Sequence, residues 1–436
     1  MQGRLNNVQL AMLQWNDWHA YNAVHVARFS SELDLARLRT CVNRVLESRG
    51  LGLLNLDRET GRFQYEKAAA DCPIEIIEPG PDIRLALHQE VERQTNMRFA
   101  TATPFWPFRF FVLPGQSEFF LSLSYFHAAA DADAVALLIR DLASSYLNVA
   151  VEDDSRAVEL YPQPHNYLIW QRPALFLKWL INLPGWVWTL LHSNRPQYHN
   201  TNDFRIGFEF LTFEPAELTA LKSAAREAAV TVNDFMLALL MQSLSPLAEA
   251  RFTERRRTRI SLGVIVNTRR AWGAESGSAF GLFLGSFLVA HESPPDLSST
   301  ELARALARQT SRIKRNQLFL AAPQQLALAR WVIGFCSTNR QKKFYQKHYP
   351  LWGGITNINL DSKPNQPATG WPVDYFRAVS TGPVSPLVLS ATTSCGRMNI
   401  TLTYRTTVFT AAQVAGIKER LLAGVDELKA SVRAAC

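Results

Sequence analysis

The stretch Phe119–Leu142, FFLSLSYFHAAADADAVALLIRDL, decides how the chain is read. An apolar, strand-like run ends at a single histidine, His127. Three alanines and two aspartates follow, and then a helical period places Val135, Leu138, Ile139 and Leu142 on one face. Side chains at strand ends can face a cleft while the backbone behind them is held rigid. A neutral imidazole there can take a proton from a hydroxyl or an amine. Asp131, four residues on, can turn back toward the histidine loop, pair with an arginine, or cap the helix together with Asp133. On position alone, a general base and a packed core histidine are both open readings of His127.

Moving outward, strands and helices alternate. YNAVHVARFS reads as a strand, and LDLARLRTCVNRVLESRG reads as an amphipathic helix closed by Gly50. DIRLALHQEVERQTNMRF is a second helix. FWPFRFFVLPGQSEFFLSLSYFH is two strands about a Pro-Gly turn. The C-terminal half begins again with the strand FRIGFEFLTF and two helices, the second with Asn233 or Asp234 as its expected cap. RISLGVIVNTRR, SAFGLFLGSFLVA, GGITNINL and the hairpin SPLVLSATTSCGRMNITLTYR supply further strands before a terminal helix. Between the halves, no Asp or Glu occurs from 160 to 202, aromatics are dense, and Pro173, Pro184 and Gly185 are expected to break any helix. The division is therefore 1–160, an aromatic crossover 161–204, and 205–436, with two α/β subdomains as the architecture.

Composition limits the function classes. The 436 residues are 47% hydrophobic and 19% charged, which suits a large packed core and not a disordered chain. Five scattered cysteines without CxxC spacing argue for a reducing compartment and against a zinc site. His165, His192 and His199 lack metal-ligand spacing, so no metal is expected. The net charge of +8 is spread along the chain, and its one dense cluster, RFTERRRTRI at 251–260, reads as a solvated helix end, so no nucleic acid is expected. The N-terminus has no apolar run long enough for a signal peptide, giving a cytoplasmic expectation. GxSxG, P-loop, GxGxxG and HExxH patterns are absent from the sequence.

The order of motifs resembles the chloramphenicol acetyltransferase-like superfamily of HxxxD acyltransferases, which includes condensation domains, wax ester synthases and polyketide-associated acyltransferases. FHAAADA at 126–132 resembles HHxxxDG, TVNDFMLALL at 231–240 is similar to the TVNDVVLA helix of wax ester synthase-type enzymes, and GGITNINL resembles a strand near the channel. Phe126 stands in place of the first histidine, Ala132 in place of the glycine, and Leu54 where an early signature arginine is expected. The resemblance implies two subdomains in a V, each a mixed sheet flanked by helices, with an active-site tunnel at their interface. It implies that His127 is the general base and Asp131 a structural support held by an arginine; Arg109, Arg28 and Arg98 are the candidates, Arg109 first. Asn357 is the candidate substrate-binding donor, with a structural strand asparagine as the alternative.

The resemblance further implies transfer of an acyl group from a thioester to an acceptor hydroxyl. No cofactor is bound; acyl-CoA or a phosphopantetheinyl carrier protein is the co-substrate. The acceptor is a small molecule or a lipid. The alternatives are a stand-alone condensation enzyme forming an amide, and a non-catalytic docking module for an acyl or peptidyl carrier protein. The aromatic, acid-free segment 165–195 suggests peripheral contact with the inner membrane face.

Overall fold

The computed structural model describes residues 2–435 except 103, 149–158, 161–171, 273–278, 362–371 and 373, so the first part of the crossover, with His165, lies outside the described residues. Two mixed sheets carry the fold. The first has five strands in the order Asp374–Val379, Asn22–Phe29, Phe119–Phe126, Phe108–Pro114, Ile74–Ile76. Its pairings are antiparallel except the last. Both faces are covered, which explains why Phe119–Phe126 is buried at every position rather than alternating. One face, with Phe110, Leu121, Leu123 and Tyr125, packs under the helices Leu35–Ser48 and Ala132–Leu147. The other, with Val24, Val26, Phe111 and Leu113, packs on the helix Ile83–Asn96.

The second sheet has six strands in the order Leu284–His291, Ile260–Asn267, Gly353–Asn359, Leu387–Ser394, Arg397–Arg405, Ile206–Phe213. The helices Pro215–Glu227, Val232–Leu244, Ser299–Arg315 and Ala411–Ala435 bury its outer face around Phe235, Leu237, Leu240 and Ile417. The cap of Val232–Leu244 is Thr231, not Asn233 or Asp234. Its hydroxyl accepts from Asp234 N–H, while the Asp234 carboxylate, three residues into the helix, accepts from Thr231 N–H in a capping box.

Three features differ from the sequence expectation. The strand Asp374–Val379, C-terminal in sequence, forms the edge of the first sheet. The carbonyls of Tyr375 and Arg377 accept from Asn399 Nδ2 (3.0 Å) and Thr401 Oγ1 (2.7 Å) of the second sheet, so the strand stitches the two sheets together. Next, Pro173–His192 is one continuous helix. Pro173 sits at its first turn, where a missing N–H costs nothing, and Pro184 lies on the exposed face, where water can satisfy the freed carbonyl. Finally, Arg251 is buried rather than solvated: its guanidinium donates to the carbonyls of Ser245, Ala248, Glu292 and Ser293 and organises that turn.

Candidate active site

His127 opens a turn held from both sides. Ala129 N–H donates to Phe126 O at 2.8 Å, and Gln9 Nε2 donates to Ala128 O at 2.9 Å. The imidazole is 6% exposed. Its Nδ1 lies 3.3 Å from Ala130 O. That contact assigns the ring proton to Nδ1 and leaves the Nε2 lone pair to act as a base. Tyr21 stacks on the ring at 5.3 Å and Tyr125 meets it edge-on at 5.8 Å, fixing its plane. Gly382, at φ +61°, approaches Tyr21: a Cβ there would come within 2.8 Å of the Tyr21 ring. Burial lowers the His127 pKa below its ordinary 6.5, against the opposing effects of its backbone hydrogen bonds and of Asp131. The neutral, proton-accepting form therefore dominates at neutral pH.

Asp131 holds the loop and does not face the cavity. Its Oδ1 accepts from Ala134 N–H at 2.9 Å and caps the helix Ala132–Leu147. Its Oδ2 accepts from Phe283 N–H at 2.8 Å, and Arg269 grips both oxygens at 2.7 and 3.0 Å. Both side chains are 2% exposed or less. Asp133 belongs to the first turn, and its carboxylate accepts from Asn267 Nδ2 at 2.7 Å.

The arginine expectation is thus corrected: the partner of Asp131 is Arg269, not Arg109. Arg109 shares a sheet face with Phe111 and Leu113, opposite the face of Phe108 and Tyr125. It donates to Met97 O at 2.6 Å and lies over the Phe99 ring at 3.9 Å. Arg28 is paired with Glu118, and Arg98 donates to Asp17 O. Asn357 sits on the strand Gly353–Asn359, but the residues of that strand that line the cavity are Gly354, Ile355 and Thr356. The Asn357 Oδ1 is buried with no hydrogen-bond partner among the described residues.

His127 faces a cavity of about 210 Å³ between the two sheets. Tyr21, Tyr125, Arg377 and Val379 line it from the first sheet's side, and Ile265, Leu284, Ser286, Ile355 and Val388 from the second's. Trp186, Gln325, Leu326 and Tyr349 complete the wall. No carboxylate lines it among the described residues; its cation is Arg377. The Arg377 guanidinium is fully buried, donates to Thr356 O, Ala391 O and Thr392 Oγ1 at 2.9 to 3.1 Å, and has its pKa lowered by burial. Sequence reasoning missed Arg269, Arg377, Tyr21 and Gln9. Of these only Arg269 carries a signal, since NTRRAW ends a strand as FHAAAD does.

The family model described as "Condensation domain" matches residues 4–319. No curated protein matches the chain by sequence. Among solved structures, the first condensation domain of the calcium-dependent antibiotic synthetase, in complex with a substrate analogue, superposes with TM-score 0.70 at 14% identity, covering 99% of this chain and 97% of that one. The condensation domain of the monacolin K polyketide synthase MokA gives 0.69 at 12% identity, covering 98% and 97%. The EpoB cyclization-docking bidomain from Sorangium cellulosum gives 0.67 at 16% identity, covering 98% and 85%. At these identities the likeness shows the fold: two mixed sheets flanked by helices. The match over more than half of the chain also fixes the family: this protein belongs to the condensation domain family, within the chloramphenicol acetyltransferase-like superfamily.

Proposed function

We propose that the chain transfers an acyl group from a phosphopantetheinyl thioester to an acceptor hydroxyl, with His127 as general base. The observation that carries this reading is the buried, neutral imidazole lining the cavity between the two sheets, its Nδ1 committed to Ala130 O. Nε2 takes the hydroxyl proton as the oxygen attacks the thioester carbonyl carbon. The tetrahedral intermediate then expels the thiolate as the C–S bond breaks, and the imidazolium returns the proton to sulfur. Positioning in the cavity supplies much of the remaining rate. Family membership favours a carrier-protein donor over free acyl-CoA.

A hydroxyl acceptor is favoured by the lining itself. An ammonium acceptor entering a cavity with Arg377 and no carboxylate would lose its hydration without a counter-ion. The second reading, amide formation, rests on the family and requires an amine that arrives deprotonated. Intact mass spectrometry of hydroxyl and amine acceptors, incubated with matched acyl-carrier and acyl-CoA donors, separates the readings. His127→Ala is expected to lower kcat by about 10²–10⁴. Transfer at the wild-type rate in that variant would remove His127 from the base role, and a wild type that transfers to none of these acceptors would leave the docking-module reading in its place.

A further inference from the structure

The helix Pro173–His192 turns its apolar residues outward. Leu177, Leu180, Ile181, Val187, Trp188 and Leu191 are all exposed, and at 100° per residue they fall on one face about 120° wide. The helix Ala322–Gly334 and its C-cap do the same: Leu328, Trp331, Val332 and Phe335 follow the spacing i, i+3, i+4, i+7 and are exposed, Trp331 at 65% and Phe335 at 78%. Both helices pack against the turn Leu318–Ala321, and Arg312 Nη2 donates to Asn182 Oδ1 at 3.0 Å beside them. Two helices that meet the same turn therefore present bulky apolar side chains to solvent, far beyond the scattered exposure of an ordinary surface.

Charge identifies what covers them. Each helix lies in a stretch without Asp or Glu, 160–202 and 302–360, and the second stretch carries ten Lys or Arg. Lys178, Arg312, Lys314, Arg315 and Lys343 are exposed on or around these helices. These apolar faces, on acid-free stretches with exposed cations around them and with Glu254 and Glu292 at the His192 end, match a lipid surface bearing anionic headgroups, where cations meet phosphates and the apolar stripe enters the acyl boundary. Pro173–His192 is long and apolar enough to cross a membrane by length and composition. Its inward face, however, is committed to protein: Trp186 lines the cavity and packs on Tyr349 at 6.4 Å.

We propose that the paired helices Pro173–His192 and Ala322–Gly334 form a docking face for an anionic bilayer, on which the protein lies without spanning it. Trp186, Gln325 and Leu326, on the inward sides of the same helices, line the His127 cavity. Docking thus places the cavity wall at the lipid surface and points to a lipid-borne acyl chain or acceptor, a consequence that rests on the transfer reading; the docking itself does not.

The test is cosedimentation of the whole chain with phosphatidylcholine vesicles, with and without phosphatidylglycerol, which reads docking without any acyl transfer. Binding is expected to need phosphatidylglycerol and to be released by salt. Trp331→Ser with Phe335→Ser removes two exposed rings and should weaken it at least about tenfold while circular dichroism and the unfolding midpoint stay unchanged. Lys178→Glu with Lys314→Glu, both exposed cations on or beside these helices, should weaken it by a similar factor. The proposal is overturned if the wild type ignores phosphatidylglycerol vesicles or if the Trp331/Phe335 variant binds them equally. It is also overturned if light scattering shows a wild-type dimer that becomes a monomer in that variant, since the patch would then be a contact between copies.

Discussion

The chemistry of His127 is set by what surrounds one ring. Burial disfavours the imidazolium, so the pKa moves down from 6.5 and the proton-accepting form persists to lower pH. For a neutral hydroxyl acceptor, kcat/KM should be flat through neutrality and fall only below pH 6.5, as Nε2 gains its proton. A pH–rate profile measures this directly; an acid limb with its midpoint at or above 6.5 would remove His127 from the base role. Asp131 contributes through position. Its four acceptor contacts, to Ala134 N–H, Phe283 N–H and both arms of Arg269, orient the loop that presents the ring. Arg269→Ala leaves a buried carboxylate short of its cation and should destabilise the fold by about 3–5 kcal/mol in a denaturant titration. Asp131→Asn with Arg269→Met removes both charges and should recover part of that loss.

At the scale of elements, the sequence was legible wherever a local period or a turn signal decides the structure. The helices Leu35–Ser48, Ile83–Asn96 and Ala132–Leu147 and the hairpin Phe108–Phe126 stand where periodicity and the Pro-Gly turn place them. Arg269 was not legible as the partner of Asp131, because their pairing spans 138 residues and depends on how the strand Ile260–Asn267 meets the helix start. The stripe Leu328, Trp331, Val332 and Phe335 of the helix Ala322–Gly334 carries a helical period, but that it faces outward was not legible, because an exposed stripe and a core-facing one have the same pattern. The strand Gly353–Asn359 gives a test of the cavity. A Cβ at Gly354 would find its nearest neighbours at 3.6 and 3.7 Å, ordinary contact, on a wall of the cavity. Gly354→Val should therefore fold at least as well, since valine suits a strand, while its side chain takes up cavity space. The expected result is an unchanged or raised unfolding midpoint with kcat/KM lowered at least about tenfold. Full activity in this variant would mean that substrate does not use this part of the cavity.

For the whole molecule, the question is whether the two sheets are separable bodies. The chain order suggests that they are, one in each half. The strand Asp374–Val379 argues otherwise. It pairs along its length with Asn22–Phe29, giving the first sheet its edge. Its carbonyls take hydrogen bonds from Asn399 and Thr401 of the second sheet, and the Arg377 guanidinium reaches Thr356, Ala391 and Thr392 there. The buried Arg269–Asp131 pair fastens a second point across the same junction. Opening the junction would strand a buried arginine, a buried carboxylate and an unpaired sheet edge, each costly without water or a partner. Separation should therefore cost as much as unfolding one of the halves, and calorimetry should record one cooperative transition instead of two. A chain truncated after Leu147 keeps all the other strands of the first sheet and leaves no broken second sheet, but loses Asp374–Val379, and with it the cover on Asn22–Phe29. Gel filtration should find that fragment aggregated or expanded; a compact, cooperatively melting fragment would show that the first sheet closes without its borrowed strand.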